Sequence, residues 1–328
     1  MNNIKIREIE VYHGSRIVDN SYYIEHFKKQ GKDIKHFLED VTGRKKRYLL
    51  ADKNENSLTM AINASTRVLE KSGLTGNDLD MIIYSSVLPE FVAPPSSVIL
   101  HHELHGKSTC FCHDINVNCA GMIYSLDYIY RYMSSNSDVN KVLLVGSDHI
   151  TPQIDPNNEL CYGQYGDAAC AIIVERTTED CKLLGTKVAV DSSVSDRVRF
   201  PKCGFSNIYD TQKEDIFTYW KPFKSAWLDG ASENINSLLK ANNLKASDIS
   251  MYCFSQYCYS NVEYLREKMD IPPEKSLFIG DIYGYTGTTS PFLVLYEAIK
   301  QKKVKRGDYI VLWTVGAGTI NIALLIKY

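Results

Sequence analysis

Two stretches of this chain repeat each other without a gap: LEKSGLTGNDLDMIIYSS at 69–86 and LKANNLKASDISMYCFSQ at 239–256. Leu69, Leu74, Asp78, Met81 and Ser85 fall on Leu239, Leu244, Asp248, Met251 and Ser255. Both read as a helix, a short turn and a buried strand. A second echo pairs KVLLVG (141–146) with YIVLWTVG (309–316). The spacing is far too long for a solenoid unit. It implies two similar α/β halves, divided here as 1–176 and 177–328.

Strand-like and helix-like segments alternate throughout. Apolar, β-branched runs at 81–87, 141–148, 168–175, 309–316 and 320–328 predict strands. Helices are predicted over 56–72, 95–105, 120–134, 225–242, 260–269 and 290–301. This alternation predicts an α/β protein with largely parallel, buried strands. The stretch 181–225 mixes polarity and reads as an irregular insertion or loop. With 44% hydrophobic and 23% charged residues, a chain of 328 can bury its own core without metal or disulfide staples. The nine cysteines are odd in number, irregularly spaced and often set in apolar runs, so free thiols and a cytoplasmic setting are expected. A net charge of −2 and only short basic runs argue against nucleic acid as a partner. The N-terminus lacks the apolar core of a signal peptide, and no run is long enough to span a membrane.

DINVNCAG (114–121) followed by MIYSLDYIYRYM predicts a buried strand, a sharp turn at Cys119 and then a helix. A thiol at a helix N-terminus is placed where the macrodipole and free N–H groups favour the thiolate. The Ala-Gly that follows leaves room for close packing. Taken alone, such a cysteine reads first as a buried structural one.

At this point the chain resembles the ketoacyl-acyl-carrier-protein synthase III family of the thiolase superfamily, over nearly its whole length. VTGRKKRY (41–48) is similar to the family's N-terminal TGI-R-ER-type segment, and NCAGMIYSLD to its nucleophile motif. KVLLVGSD, YGDAACAIIV and VGAGTINIALLIKY resemble its remaining core strands and Gly-rich turns. The resemblance implies a thiolase-like fold of two similar halves in a five-layered α-β-α-β-α arrangement, assembled as a homodimer. It implies that Cys119 accepts an acyl group from a thioester. Backbone N–H groups of Cys119 and of the turn at Gly316 and Gly318 would hold the oxyanion. No cofactor is implied beyond the co-substrate, an acyl-carrier-protein phosphopantetheine or an acyl-coenzyme A.

The chain departs from the family where the second half should supply a His and an Asn. Ser255 stands at the His position, and Tyr285 at the Asn position in Tyr-Gly-Tyr-Thr. All eight histidines precede residue 150, so no His in the second half replaces the missing one. His and Asn stabilise the enolate of a decarboxylating malonyl thioester, and loss of one such donor typically costs about 3 kcal/mol. Acylation of Cys119 depends less on them. Glu90 in the loop 87–95 and His149 after the GSD are candidate bases, each read more simply as an ordinary surface or strand-end residue. His113 between Cys110, Cys112 and the next strand lacks the ligand spacing of a metal site. The positions that sandwich coenzyme A adenine in the family carry Phe37, Val41 and Glu159, which favours a carrier-protein arm as donor. The expectation is an acyltransferase of specialised lipid or polyketide-type biosynthesis. The alternative is a supporting subunit, heterodimeric with a complete ketosynthase.

Overall fold

The computed structural model describes residues 3–222 and 227–328. Two sheets form its frame. The first has five strands in the order β1 (Asn3–His13), β7 (Ala168–Thr177), β6 (Lys141–Asp148), β4 (Met81–Ser85) and β5 (Phe111–Ile115). The second has β8 (Lys182–Val190), β13 (Ile320–Lys327), β12 (Tyr309–Gly316) and β11 (Ile249–Phe254). Read from these edges, the second sheet repeats the first and stops one strand short. Two small ribbons pair β2 (Arg16–Asp19) with β3 (Lys46–Leu49), and β9 (Val198–Arg199) with β10 (Tyr219–Trp220).

The repeated segments occupy equivalent places. α2 (Ser57–Ser72) leads through a one-turn helix at 76–78 into β4, and α5 (Trp227–Ala241) through one at 246–248 into β11. The shared Asp sets the turn in both. Asp78 accepts the Thr75 N–H at 2.8 Å, and Asp248 accepts the Lys245 N–H at 2.7 Å. Such local side-chain caps satisfy the first donors of a short helix and fix where the following strand starts.

Helices α4 (Gly121–Ser135) and α8 (Ser290–Lys300) lie between the sheets. Met122, Ile123, Leu126, Ile129 and Met133 of α4 share one core with Phe292 to Leu295 of α8 and with residues of both sheets. Helices with so broad an apolar surface are buried ones. α2 and α3 (Ser96–Glu103) cover the outer face of the first sheet, and α5 and α6 (Tyr259–Met269) that of the second. The five layers are therefore helix, sheet, helix, sheet, helix. The remaining helices, α1 (Asn20–Lys28) and the short α7 (Gly280–Tyr283), lie at the edges of this frame.

Three sequence expectations need correction. The strands are not largely parallel: β4 with β5, β4 with β6, and β11 with β12 are parallel, but β1–β7, β6–β7, β12–β13 and β8–β13 are antiparallel. A turn of three residues, Ala317 to Thr319, suffices to reverse the chain between β12 and β13, and no crossover fits in it. The stretch 181–225 is not all irregular, since β8 occupies its start. β8 is an edge strand with a largely exposed or half-exposed face, so it lacks the continuous apolar run of an interior strand. The buried strand expected ahead of Cys119 is β5, an edge strand with no fully buried position, and β1, absent from the strands expected above, is an edge strand too. The helix expected over 225–242 is described over Trp227–Ala241, and its first two expected positions lie outside the described residues.

Candidate active site

Cys119 sits between β5 and α4. Asn118 has φ +50°, and its N–H is held by the Asn116 side chain at 2.9 Å. Ala120 N–H then donates to Val117 O at 3.1 Å, which closes the turn. Gly121 is required here, because a Cβ would run into the Ser85 hydroxyl of β4. The turn at Gly316 presses on the same place: a Cβ on Gly316 would stand 3.0 Å from Val117 O and 3.5 Å from Ala120 N.

The thiol faces a cavity of about 220 Å³. Tyr165, Trp220, Trp227, Tyr257 and Tyr285 supply aromatic walls, and Val87, Leu88 and Ile150 aliphatic ones. The Tyr285 ring lies 5.3 Å from Tyr257 and 5.5 Å from Tyr165, centroid to centroid. The Tyr285 hydroxyl interacts with both the Cys119 thiol and the Ser255 hydroxyl. The contact with Ser255 is loose. Ser255 Oγ is buried and has no hydrogen bond of good geometry.

The thiol's environment opposes the sequence expectation of a favoured thiolate. Burial pushes the thiol up to about 12, with Asp148 adding to the rise; the Tyr285 hydroxyl and the Cys119 N–H act the other way. The first donors of α4 are already used. Gly121 N–H donates to Asn118 O at 3.0 Å and Met122 N–H to Thr288 Oγ1 at 2.9 Å. Little of the helix N-terminus is left for the sulfur, and removal from water decides the sign.

Asp148 is itself buried, and burial raises it to about 6 against the pull of its donors. It accepts from Val87 N–H at 2.7 Å, Ser86 Oγ at 3.0 Å and Thr288 N–H at 2.8 Å. One carboxylate thus ties the cavity loop at 86–88 to the turn after Tyr285.

Arg44 was not singled out in the sequence, where it reads as one more basic residue of GRKKR. It is fully buried and donates to Gly280 O at 3.0 Å, Gln256 O at 2.8 Å and Tyr257 O at 2.7 Å. Desolvation lowers it to about 10. Two of its acceptors directly follow Ser255 and the third precedes Tyr285, so it braces the segments that carry both. Gln256 completes the brace: its side-chain oxygen accepts from Ile279 N–H at 2.7 Å and Gly280 N–H at 3.1 Å. The signal was its place in the TGR segment, but nothing local betrays carbonyl partners more than 200 positions away.

The other candidates are distributed as follows. Gly316 and Ala317 line the cavity, whereas Gly318, with φ +76°, does not. Glu90 is exposed and does not line the cavity in its own chain. His149 faces a different cavity, 3.8 Å from Asp167. His113 packs edge-on against Tyr128 at 5.4 Å. Glu159 pairs with Lys32 at 2.6 Å, while Phe37 and Val41 bound one π-helical turn.

Comparison with known proteins places this geometry. Residues 113–192 match the family described as 3-oxoacyl-[acyl-carrier-protein] synthase III, and residues 239–328 its C-terminal part. A beta-ketoacyl-[acyl-carrier-protein] synthase III of Aquifex aeolicus is 28% identical over 287 residues, covering 88% of each chain. One of Clostridium perfringens is 27% identical over 332 residues, covering the whole of both. The crystal structure of the 3-oxoacyl-[acyl-carrier-protein] synthase III of Aquifex aeolicus superposes with a TM-score of 0.87 at 25% identity, over 99% of this chain and 100% of that one. Among the described residues no helix is long and apolar enough to cross a membrane.

Proposed function

The chain belongs to the 3-oxoacyl-[acyl-carrier-protein] synthase III family of the thiolase superfamily, and from that premise we propose that it is an acyltransferase carrying its acyl group on Cys119. The observation that carries the reading is the thiol lining an apolar, aromatic cavity, with a hydroxyl and a tight glycine turn beside it. In the first step the sulfur attacks a thioester carbonyl. The bond to the pantetheine sulfur breaks, and the proton of Cys119 leaves with that thiol, so no external base is consumed. On this reading the Cys119 N–H and the 316–317 turn, which lines the same cavity, would hold the oxyanion. Tyr285 holds a proton at ordinary pH, since burial raises it well above its usual value, and so acts as donor and not as base.

The donor is an acyl group on a carrier-protein phosphopantetheine arm or on coenzyme A. The acceptor belongs to specialised lipid or polyketide-type synthesis, because Ser255 and Tyr285 do not reproduce the His and Asn of ordinary condensation. A homodimer forms along the open edge of β5, where Phe111 is half-exposed, Tyr132 packs against it and Tyr128 stacks on Tyr132. Across that edge Glu90 would serve the partner's cavity and not its own.

Intact-protein mass spectrometry with acyl-carrier-protein and acyl-coenzyme A thioesters tests the reading. A single acyl adduct that vanishes in Cys119→Ala supports it; no adduct with any donor overturns it. A second reading, a supporting subunit paired with a complete ketosynthase, rests on Ser255 and Tyr285 standing where the family has its His and Asn, and on the burial that pushes the Cys119 thiol up. That reading predicts a heterodimer on co-expression whose activity survives Cys119→Ala.

A further inference from the structure

Tyr165 lines two cavities. One is that of Cys119; the other, of about 400 Å³, opens among β2, α1 and the segments 49–55, 149–154 and 161–167. His149 and Ile150 mark the divide, His149 lining the second cavity and Ile150 the first. A volume of this size falls within the range of about 300–1,000 Å³ for small-molecule sites and is several times what an inorganic anion fills.

Its charges are unequally satisfied. Three carboxylates line it, and each already has donors. Asp167 accepts Leu50 N–H at 2.9 Å and the Thr151 hydroxyl at 2.9 and 3.1 Å. Asp52 accepts from Asn54 N–H at 2.9 Å and Asn54 Nδ2 at 3.1 Å, and Glu55 accepts the Tyr12 hydroxyl. The two fixed cations of the lining, Arg16 and Lys53, form no salt bridge or hydrogen bond with a carboxylate among the described residues, though Arg16 acts on Asp167 at longer range. Around them stand Leu49, Pro152 and Ile154, with Tyr22 and Tyr162 bringing their hydroxyls within 3.5 Å of each other. An exposed, unpaired guanidinium at the rim of a partly apolar, tyrosine-walled pocket is suited to a planar carboxylate with a hydrocarbon body.

We propose that this second cavity binds a small organic acid, its carboxylate on Arg16 and its apolar body against Leu49, Pro152, Ile154 and the tyrosine rings. The site stands one side chain, Tyr165, from the Cys119 cavity. It is independent of whether Cys119 is acylated.

Calorimetric titration of the full chain with sodium benzoate, sodium hexanoate and inorganic phosphate tests this. Benzoate or hexanoate should bind wild type, Cys119→Ala and Trp220→Leu alike. Binding should weaken roughly tenfold or more in Arg16→Gln, where the charge-assisted hydrogen bonds are lost, and persist in Arg16→Lys. Arg16 is exposed, and a thermal melt of each variant confirms its fold. Absence of binding at millimolar acid overturns the proposal, as does binding indifferent to Arg16. Loss in Trp220→Leu would place the ligand in the Cys119 cavity instead. Phosphate binding as tightly as the organic acids would reduce the site to a charge contact and refute the assignment.

Discussion

The protonation of Cys119 can be measured without knowing the substrate. Burial places its thiol at about 12, whereas an unperturbed cysteine titrates near ~8.5. At pH 8 roughly one Cys119 in 10⁴ is then a thiolate, against roughly a quarter of free cysteines. The more basic thiolate is also the better nucleophile, and a Brønsted slope of about 0.4–0.5 offsets roughly 25- to 55-fold of that deficit. Net alkylation of Cys119 by iodoacetamide should therefore run roughly 40- to 100-fold slower than that of a free peptide carrying the same NCAG sequence. The cavity gives the reagent access, so protonation and not exclusion sets the rate. Quenched aliquots read by peptide mass spectrometry give the rate at each pH. It should climb about tenfold per pH unit from 7 to 10 without levelling. Tyr285→Phe removes a group that favours the thiolate and should slow it further; Asp148→Asn removes a charge that opposes it and should speed it. A plateau between pH 6 and 8 would refute the dominance of burial, and a slow rate indifferent to pH would refute protonation as its cause.

Three further outcomes follow from the same residues. Arg44→Met leaves three buried carbonyls without their donor and should lower stability by about 3–5 kcal/mol in urea unfolding, with Arg44→Lys recovering only part because one ammonium cannot fork to three acceptors. The folded pKa of Asp148, about 6, lies above the unfolded value near ~3.9, so the folded state holds a proton there that the unfolded chain has released, and stability falls as pH rises through that window. The melting temperature should thus be higher at pH 5.5 than at 7.5. The slope, which Asp167 shares in direction, should shrink in Asp148→Asn; a flat wild-type profile would contradict the assignment. Finally, Ser255→His combined with Tyr285→Asn supplies an imidazole and a compact amide beside Cys119, and decarboxylation of a malonyl thioester, followed by CO₂ release, should rise about tenfold or more over wild type. No gain would mean that these positions do not face the reacting carbonyl.

What could be read in the sequence was local or repeated. The correspondence of 69–86 with 239–256 survives because Asp78 and Asp248 make the same cap, a contact spanning three residues. α4 was legible because it is apolar enough to lie between two sheets. Edge strands were harder. β1 and β8 each bury only part of their side chains, and the signal of a buried strand is diluted by the exposed positions. Arg44 was hidden for a different reason. In sequence it is a cation beside other cations, and only the meeting of the two halves surrounds it with carbonyls.

The thiol shows where such reading stops. Cys119, its turn and the helix after it are contiguous, and from them alone the sulfur should be acidified. What reverses the sign comes from elsewhere: removal from water beside Tyr165 of the first half and Tyr257 of the second, and the buried Asp148 at the end of β6, against which the Tyr285 hydroxyl acts. A pKa sums over every neighbour, and desolvation outweighs a helix terminus whose donors are spent within the turn. The position of a nucleophile is therefore a local property and its charge is not. In this chain the Tyr285 that replaces the Asn also brings aromatic bulk to the sulfur. On the proposed reading an incoming thioester would meet a protonated thiol, and the departing pantetheine thiol would carry that proton away.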